Sequence, residues 1–178
     1  MEIRIAEKEG FDSIRAFYHS LIDAMEGSRY TPGWEKGIYP SNDYLRDSVN
    51  KGQLYICMMD GLMASAMILN HECNEGYQNV KWLVEAEPET VTVVHALGVH
   101  PDFGGNGLGK AMVSHALSAA GKNCQKAVRL DGLCGNIPAE RLYTSMGFRY
   151  IDTIKMFYED TGWTDYKLFE YPVPSQVY

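Results

Sequence analysis

The sequence predicts an α/β (α+β) fold, with a mixed, mostly antiparallel sheet of about seven strands flanked by about four helices. Apolar residues recur at strand or helix spacing in the order βααββ and then βαβαββ. Asp60-Gly61 joins two apolar runs, which is a strong signal of an antiparallel hairpin. In the second half, a strand, a glycine-rich turn, a helix and another strand follow each other, which is typical of a parallel crossover.

The first half of the chain contains a short strand and two helices. Residues 3–5 alternate between apolar and other side chains as in a strand. Over 11–25, apolar residues recur at intervals of three and four positions, which predicts a helix, and Gly27 lies just past its end. Residues 27–42 hold three Gly, two Pro and three large aromatics, and they predict a loop. Ser41 or Asn42 can cap a second helix that runs to about residue 50.

The remaining segments complete the sheet. We predict strands at 54–59, 62–69, 90–99, 127–130, 148–158 and 166–171, and helices at 108–121 and 136–146. Residues 70–89 are polar and irregular, with a helical turn around 77–82. Gly121 and Gly147 lie where the last two helices are expected to stop. The final strand, 166–171, is expected to be exposed and able to pair between the subunits of a homodimer.

Length and charge narrow the classes of partner. The 178 residues predict a single domain over 1–178, and 46% hydrophobic and 22% charged residues are ordinary for a globular protein. Sixteen Lys and Arg against 23 Asp and Glu give a net charge of -7. That balance argues against nucleic acid and anionic membranes as main partners and suits a cationic substrate such as an amine.

The sequence also gives expectations about location and metals. No apolar run approaches the roughly 20 residues that cross a bilayer, and the charged, alternating first residues do not resemble a signal peptide. The four cysteines form no CxxC pair, so we expect reduced thiols and a cytoplasmic location. His71-Glu72-Cys73 is too short a cluster for a metal site, and we expect no metal.

The glycine-rich turn at 104–109 lies between a predicted strand and a predicted helix. Glycines let a backbone approach a ligand closely, and free N–H groups at a helix start bind phosphate. Residues 104–110 match GxxxxGK of nucleotide-binding P-loops, but Ala111 stands where a Ser or Thr is needed to bind Mg²⁺. The dinucleotide pattern GxGxxG fails, because Lys110 takes the place of its last glycine.

Two segments together resemble the signatures of the GNAT superfamily of acyl-CoA-dependent N-acetyltransferases. Residues 97–110, LGVHPDFGGNGLGK, are similar to its acyl-CoA signature, Val-x-Pro followed by (Arg/Gln)-x-x-Gly-x-(Gly/Ala). Residues 136–148, NIPAERLYTSMGF, are similar to its second signature, NxxAxxLYxxxGF. The order and separation of the two segments also agree. Gly104 stands where the family usually has Arg or Gln, so a side-chain contact to the cofactor is lost.

The resemblance implies that acetyl-CoA lies between two splayed parallel strands of a GNAT fold. The stretch Leu97-Gly98-Val99 would bind the pantetheine arm through its backbone, and one N–H there would hold the oxyanion. Asn136 is a candidate for a further pantetheine contact and for the N-cap of its helix. The pyrophosphate would be held by backbone N–H groups of Gly104, Gly105, Asn106, Gly107, Leu108, Gly109 and Lys110.

The resemblance makes Tyr143 a cofactor-binding residue near the CoA sulfur and the general acid that protonates the departing thiolate. Periodicity alone offers another interpretation. Ala139, Leu142, Tyr143 and Met146 share one helix face, which is typical of a core aromatic.

An amine must lose a proton before it attacks, and His95 is the candidate base. Alternation over 91–99 places His95 on the same face as Leu97 and Val99. A buried neutral histidine bonded to a backbone group is the alternative. Rival bases in an acidic stretch, more typical of a solvated loop, are Glu85, Glu87 and Glu89.

The acceptor pocket is expected to include Trp34 and Tyr39 of the first loop, since loop aromatics often contact ligands. An alternative is that Trp34 only packs the loop onto the core. The sequence thus predicts an N-acetyltransferase that moves an acetyl group from acetyl-CoA to a primary amine by direct attack in a ternary complex. The alternative is a non-catalytic acyl-CoA-binding or regulatory module on the same fold, and the acceptor is not identified.

Overall fold

The computed structural model describes residues 1–174, so the last four positions of the predicted 1–178 domain lie outside the described residues. The strands are β1 (Glu2–Ile5), β2 (Leu54–Met59), β3 (Leu62–Asn70), β4 (Val91–Val99), β5 (Ala127–Leu133), β6 (Arg149–Tyr158) and β7 (Gly162–Pro172). The α-helices are α1 (Phe11–Ala24), α2 (Asn42–Asn50), α3 (Leu108–Lys122) and α4 (Ile137–Ser145). The predicted order of elements is confirmed.

The strands form a seven-stranded sheet in the order β1-β2-β3-β4-β5-β7-β6. Among the strands of the described residues, only β4 and β5 are parallel, and every other neighbouring pair is antiparallel. The predicted mixed sheet is therefore confirmed. The expectation that the final strand is exposed at an edge is wrong, because β7 lies between β5 and β6 and pairs with both. The edge strands are β1 and β6.

Helices cover both faces of the sheet. Residues of α1 and α2 pack on one face around Tyr18, Leu21 and Leu45, while α3 and α4 pack on the other around Met112 and Tyr143. The apolar stripe predicted for α1 is fully buried at Ile14 and Leu21. The hydroxyl of Ser41 accepts the N–H of Tyr44 at 3.1 Å, which confirms Ser41 as the cap of α2.

Several boundaries differ from the prediction, including the start of β7, which is Gly162 rather than residue 166. The turn expected at 77–82 is a short 3-10 helix at Glu75–Asn79. Gly121 lies inside α3, which continues to Lys122 and is capped at Asn123. β5 runs to Leu133 rather than to residue 130, because β7 supplies a pairing partner as far as Tyr166. Within the described part of the chain, no helix is long and apolar enough to cross a membrane.

β4 carries a bulge that breaks the predicted alternation. Ala96 has φ 49°, a left-handed conformation that is rare outside glycine, and the register with β3 shifts at this point. His95 faces Tyr44 on the α2 side, whereas Leu97 and Val99 pack against the cluster that contains α3. His95 and Leu97 are therefore on opposite faces of the sheet.

Candidate active site

A cleft opens where β4 and β5 separate. The two strands pair only over Val91–Val93 and Ala127–Arg129. Beyond that point β4 stays paired with β3, and β5 stays paired with β7. Residues 94–97 of β4 and 131–133 of β5 line the resulting cleft. The separation leaves the facing backbone groups of both strands available to a ligand.

The bulge determines which N–H groups of β4 point into the cleft. His100 donates its N–H to Ala64 O on the β3 side at 2.9 Å. Successive N–H groups along a strand point to opposite sides. The N–H groups of Leu97 and Val99 therefore point away from β3 and towards the cleft. Gly98 between them has no room for a side chain, because an added Cβ would strike Leu21 and lie 3.3 Å from the Trp34 ring.

The glycine turn presents a row of N–H groups before α3. Gly104 already donates its N–H to Pro101 O at 2.8 Å. No described residue accepts a hydrogen bond from the N–H groups of 105–110. Gly105 (φ 80°) and Gly107 (φ 73°) adopt the left-handed conformation that allows this turn. The start of α3 adds a partial positive charge, so the turn can bind an anion such as a pyrophosphate.

Individual side chains of this turn have structural contacts. Asn106 donates from its side chain to Phe103 O at 3.1 Å, and Leu108 is buried in the core. Lys110 is exposed. An added Cβ at Gly109 would lie 3.0 Å from a methyl of Leu142, so this glycine lets α3 approach α4 closely.

Asn136 and Tyr143 bring α4 to the cleft. Asn136 occupies the N-cap position but its side chain caps no N–H, so the predicted capping bond is absent, and Asn136 lines the cleft instead. Tyr143 is 7% exposed and its ring packs against Phe148 and Phe169. Its hydroxyl bonds to no described residue and is not enclosed, so it opens to the cleft. Burial, and then the charge of Asp131, raise the pKa of Tyr143.

His95 lines the cleft but is already bonded. Its Nε2 lies 2.8 Å from Asn70 Oδ1 and 2.9 Å from Glu72 O. Both partners are acceptors, so Nε2 carries the proton and donates it. Burial lowers the pKa of His95 to about 4, against a smaller opposite effect of the Glu72 carbonyl. His95 therefore matches the alternative of a neutral histidine bonded to a backbone group.

Asp131 is a cleft residue that sequence analysis missed. Its Oδ2 accepts hydrogen bonds from the hydroxyls of Tyr77 at 2.9 Å and Tyr158 at 2.8 Å. Its Oδ1 accepts none from described residues and is not enclosed. Burial raises the pKa of Asp131, and the two tyrosine hydrogen bonds partly offset that effect. A carboxylate at the end of a parallel strand was the available signal, but the predicted strand stopped one residue earlier.

A second missed carboxylate, Asp160, comes from the turn between β6 and β7. Its Oδ1 is buried without a hydrogen-bond partner in the described structure. Burial raises the pKa of Asp160, the backbone N–H groups of Asp160 and Thr161 partly offset that effect, and the charge of Glu35 makes a smaller contribution that raises it. None of the described residues that line the cleft is Lys or Arg. The cleft is therefore suited to a cation.

The predicted acceptor residues Trp34 and Tyr39 both line the cleft. Trp34 contacts the rings of Tyr18 and Tyr39 at 6.0 Å, so it also packs the loop onto the core. Tyr39 contacts Tyr158 at 6.3 Å, which connects the first loop to β6. Trp34 thus lines the cleft and also packs the loop onto the core, so the two predicted positions of this side chain are compatible.

Several other candidates lie elsewhere. The rival bases Glu85, Glu87 and Glu89 are exposed and do not line the cleft. Over residues 1–174, no three His, Cys, Asp or Glu side chains are grouped as metal ligands.

Comparisons with known proteins agree with this architecture. An acetyltransferase of the GNAT family from Streptococcus agalactiae has a TM-score of 0.79 and 17% identity, over 98% of this chain and 96% of that one. The Salmonella typhimurium protein yncA, solved with its cofactor acetyl-CoA, has a TM-score of 0.71 and 16% identity, over 100% of this chain and 96% of that one. The Escherichia coli ribosomal-protein-S18-alanine N-acetyltransferase has a TM-score of 0.64 and 20% identity, over 99% of this chain and 98% of that one. At these identities the likeness shows the fold.

Sequence comparison adds a relative and a family. An uncharacterized N-acetyltransferase of Methanocaldococcus jannaschii is 31% identical over 74 residues, which are 42% of this chain and 33% of that protein. The match thus spans about a third of that relative's length. The model of the acetyltransferase (GNAT) family matches residues 16–148, well over half of the chain. The chain therefore belongs to the acetyltransferase (GNAT) family.

Proposed function

We propose that this protein transfers an acetyl group from acetyl-CoA to a primary amine, which attacks the thioester directly in a ternary complex. One observation carries the proposal. One cleft holds the outward N–H groups of β4, the Tyr143 hydroxyl, and the carboxylates of Asp131 and Asp160, and none of its described lining residues has a cationic side chain. The N–H groups suit an acyl thioester, and the carboxylates suit an ammonium group.

Each step of the transfer has a candidate group. The N–H groups of 105–110 would hold the pyrophosphate, and those of Leu97 and Val99 would bind the pantetheine arm and the developing oxyanion. Asn136 would add a contact to that arm. Tyr143 would protonate the thiolate, since its raised pKa keeps the hydroxyl protonated at neutral pH and therefore available as a donor.

The acceptor would enter between the first loop and the β6–β7 hairpin. Trp34, Tyr39 and Tyr158 supply aromatic walls, which suit an apolar or cationic group. Asp160 has a buried oxygen without a partner, and an ammonium group would provide one.

The experiment is calorimetric titration with acetyl-CoA, CoA and ATP, followed by thiol-release assays with a panel of primary amines. We expect both CoA species to bind, ATP not to bind, and at least one amine to be acetylated. Binding without turnover over the whole panel would instead support the non-catalytic acyl-CoA-binding module. Failure of both CoA species to bind would mean that Gly104 has disabled the cofactor site.

A further inference from the structure

Resting on the proposed function, we propose that Asp131 takes the proton from the acceptor ammonium. We further propose that the loss of its charge then eases proton release from Tyr143 to the departing thiolate. Asp131 acts as a catalytic residue in this proposal, and Tyr77 as the residue that positions it.

The hydrogen bonds of Asp131 leave one oxygen for the substrate. Tyr77 and Tyr158 both donate to Oδ2. Tyr77 lies 54 residues before Asp131 in the sequence, and Tyr158 lies 27 residues after it. This arrangement fixes the rotamer of the carboxylate. Oδ1 has no partner among residues 1–174 and is open to the cleft. A proton arriving from the cleft therefore meets Oδ1.

Among residues 1–174, no Lys or Arg lines the cleft of Asp131. Arg129, two residues earlier on the same face of β5, is bound to Glu170 at 2.9 Å and to Val84 O at 2.7 Å. Because Arg129 is engaged by these two groups rather than by Asp131, burial dominates the environment of this carboxylate and favours the uptake of a proton. The titratable groups that surround Asp131 or share its cleft are Tyr39, Cys73, Tyr77, His95, Tyr143, Tyr158, Asp160 and Tyr166.

Asp131 is better placed than His95 to act as the base. Nε2 of His95 donates to two acceptors, so only its Nδ1 could take a proton, and burial weakens that nitrogen by lowering the pKa of His95 to about 4. Burial acts in the opposite direction on Asp131, raising its pKa, and Asp131 keeps one oxygen that has no partner among the described residues and opens to the cleft. Asp131 also acts electrostatically on Tyr143, since its charge contributes to the raised pKa of that hydroxyl. Once Asp131 is protonated, that contribution disappears, and Tyr143 becomes a stronger acid when the thiolate leaves.

The proton balance closes without another reactant. The ammonium gives one proton to Asp131, and the neutral amine attacks the thioester carbon to form the C–N bond. The C–S bond breaks, and the thiolate takes the hydroxyl proton of Tyr143. The second amine proton returns to the tyrosinate. Asp131 then releases its proton to solvent, so the products are the amide, CoA and one proton.

The test compares the pH profiles of kcat/KM for the wild type, Asp131→Asn and Asp152→Asn. Asp152 is an exposed carboxylate on the edge strand β6, so its substitution controls for the loss of one negative charge. Wild type and the control should give a flat profile between the pKa of Asp131 and that of the amine. Asp131→Asn can use only neutral amine, so its kcat/KM should be lower by about 100-fold at pH 7. Its kcat/KM should also rise about tenfold per pH unit.

A rescue experiment removes the need for a base. The acceptor pair is 2-phenylethylamine and its β,β-difluoro analogue, whose amine is far less basic. Asp131→Asn should recover most of its lost activity with the fluorinated amine, because that acceptor arrives neutral. Calorimetry with acetyl-CoA verifies that the variant is folded and keeps its cofactor site. If the pair is not acetylated by wild type, the best amine of the panel is used for the pH profile.

The positioning role of Tyr77 has its own readout. Tyr77 donates to the charged carboxylate, so Tyr77→Phe should raise the pKa of Asp131 and move the acid limb of the profile to higher pH. A loss of activity without a shift of that limb would indicate a structural role only.

The outcomes separate this proposal from the proposed function. A flat profile for Asp131→Asn, with turnover close to wild type, overturns the assignment of Asp131 and leaves the acetyltransferase proposal intact. If the profile of His95→Gln is sloped while that of Asp131→Asn is flat, the base is His95. Without that result, the role of His95 as the base stays a prediction. Absence of turnover by wild type with every amine, despite acetyl-CoA binding, overturns both proposals.

Discussion

Tyr143 combines a buried ring with an accessible hydroxyl. Phe148 and Phe169 contact the ring with centroids at 6.0 and 5.7 Å, and these contacts fix the direction of the hydroxyl. The two interpretations of this residue, core aromatic and general acid, are therefore compatible. The ring packs the helix onto the sheet, while the hydroxyl is the part of the residue that meets the cleft.

Tyr143→Phe should keep the packing and remove the proton donor. We expect turnover to fall by about 100-fold, because general acid catalysis contributes at least that much in most enzymes. The Kd for acetyl-CoA should change by less than about twofold, since the ring keeps its place beside the cofactor and the hydroxyl is expected to act on the sulfur only in the transition state. Thiol-release kinetics and calorimetry measure the two quantities. Tyr150→Phe, on the exposed side of β6, is the control. Near-normal turnover of the Tyr143 variant would remove this residue from the mechanism.

The turn between β4 and α3 is an element that depends on backbone conformation rather than on side chains. Gly107 is the residue before α3 and has φ 73°, and an added Cβ there would meet nothing within 4 Å. Steric clash with a neighbour is therefore not the constraint. The left-handed conformation itself favours glycine, and it directs the following N–H groups outward.

Gly107→Ala should weaken acetyl-CoA binding by changing this conformation. Holding an alanine in the left-handed conformation costs about 1–2 kcal/mol. The variant therefore either loses that free energy of unfolding or changes the backbone conformation of the turn. Gly61→Ala is a matched control, because Gly61 has φ 78° in the β2–β3 hairpin and also has open space. Both variants should lose about 1 kcal/mol of unfolding free energy in urea. Only Gly107→Ala should raise the Kd for acetyl-CoA, by about fivefold or more. Equal Kd values for both variants would contradict the assigned role of the turn.

The segment between β3 and β4 is attached to the sheet by a buried ion pair. Glu170 of β7 is fully buried and accepts from Arg129 at 2.9 Å and from the N–H groups of Leu83 and Val84 at 2.7 and 3.2 Å. Arg129 also stacks over the Trp82 ring at 4.3 Å. One carboxylate thus holds three parts of the molecule together, including the segment that carries Tyr77.

Glu170→Gln should destabilise the whole molecule. The substitution leaves the buried Arg129 without an anionic partner, and breaking one side of such a pair costs about 3–5 kcal/mol. The control is Asp165→Asn, which removes an exposed pair with Lys155 and should cost less than about 1 kcal/mol. Urea unfolding measures both free energies. A similar small loss for the two variants would show that the buried pair is not a main attachment of this segment.

Local patterns were sufficient for most of the fold. The hairpin at Asp60-Gly61, the cap at Ser41 and the glycine turn were predicted, since each depends on residues a few positions apart. The cleft residues that belong to signatures, such as Tyr143 and Asn136, were predicted from the resemblance to the GNAT family, whereas periodicity alone favoured a core aromatic for Tyr143. Asp131 was not, because its partners Tyr77 and Tyr158 are distant in sequence and come together only in the folded sheet.

The sequence by itself determined the order of elements, the turns and the paired signatures, because hydrophobic period, capping and glycine conformation act over a few residues. Only the tertiary structure decided that β7 lies between β5 and β6, that β4 bulges at Ala96 and that Asp131 shares a cleft with Tyr143. Strand order and side-chain proximity depend on pairings between distant segments. No local period records those pairings, so the location of the candidate base could be derived only from the assembled sheet.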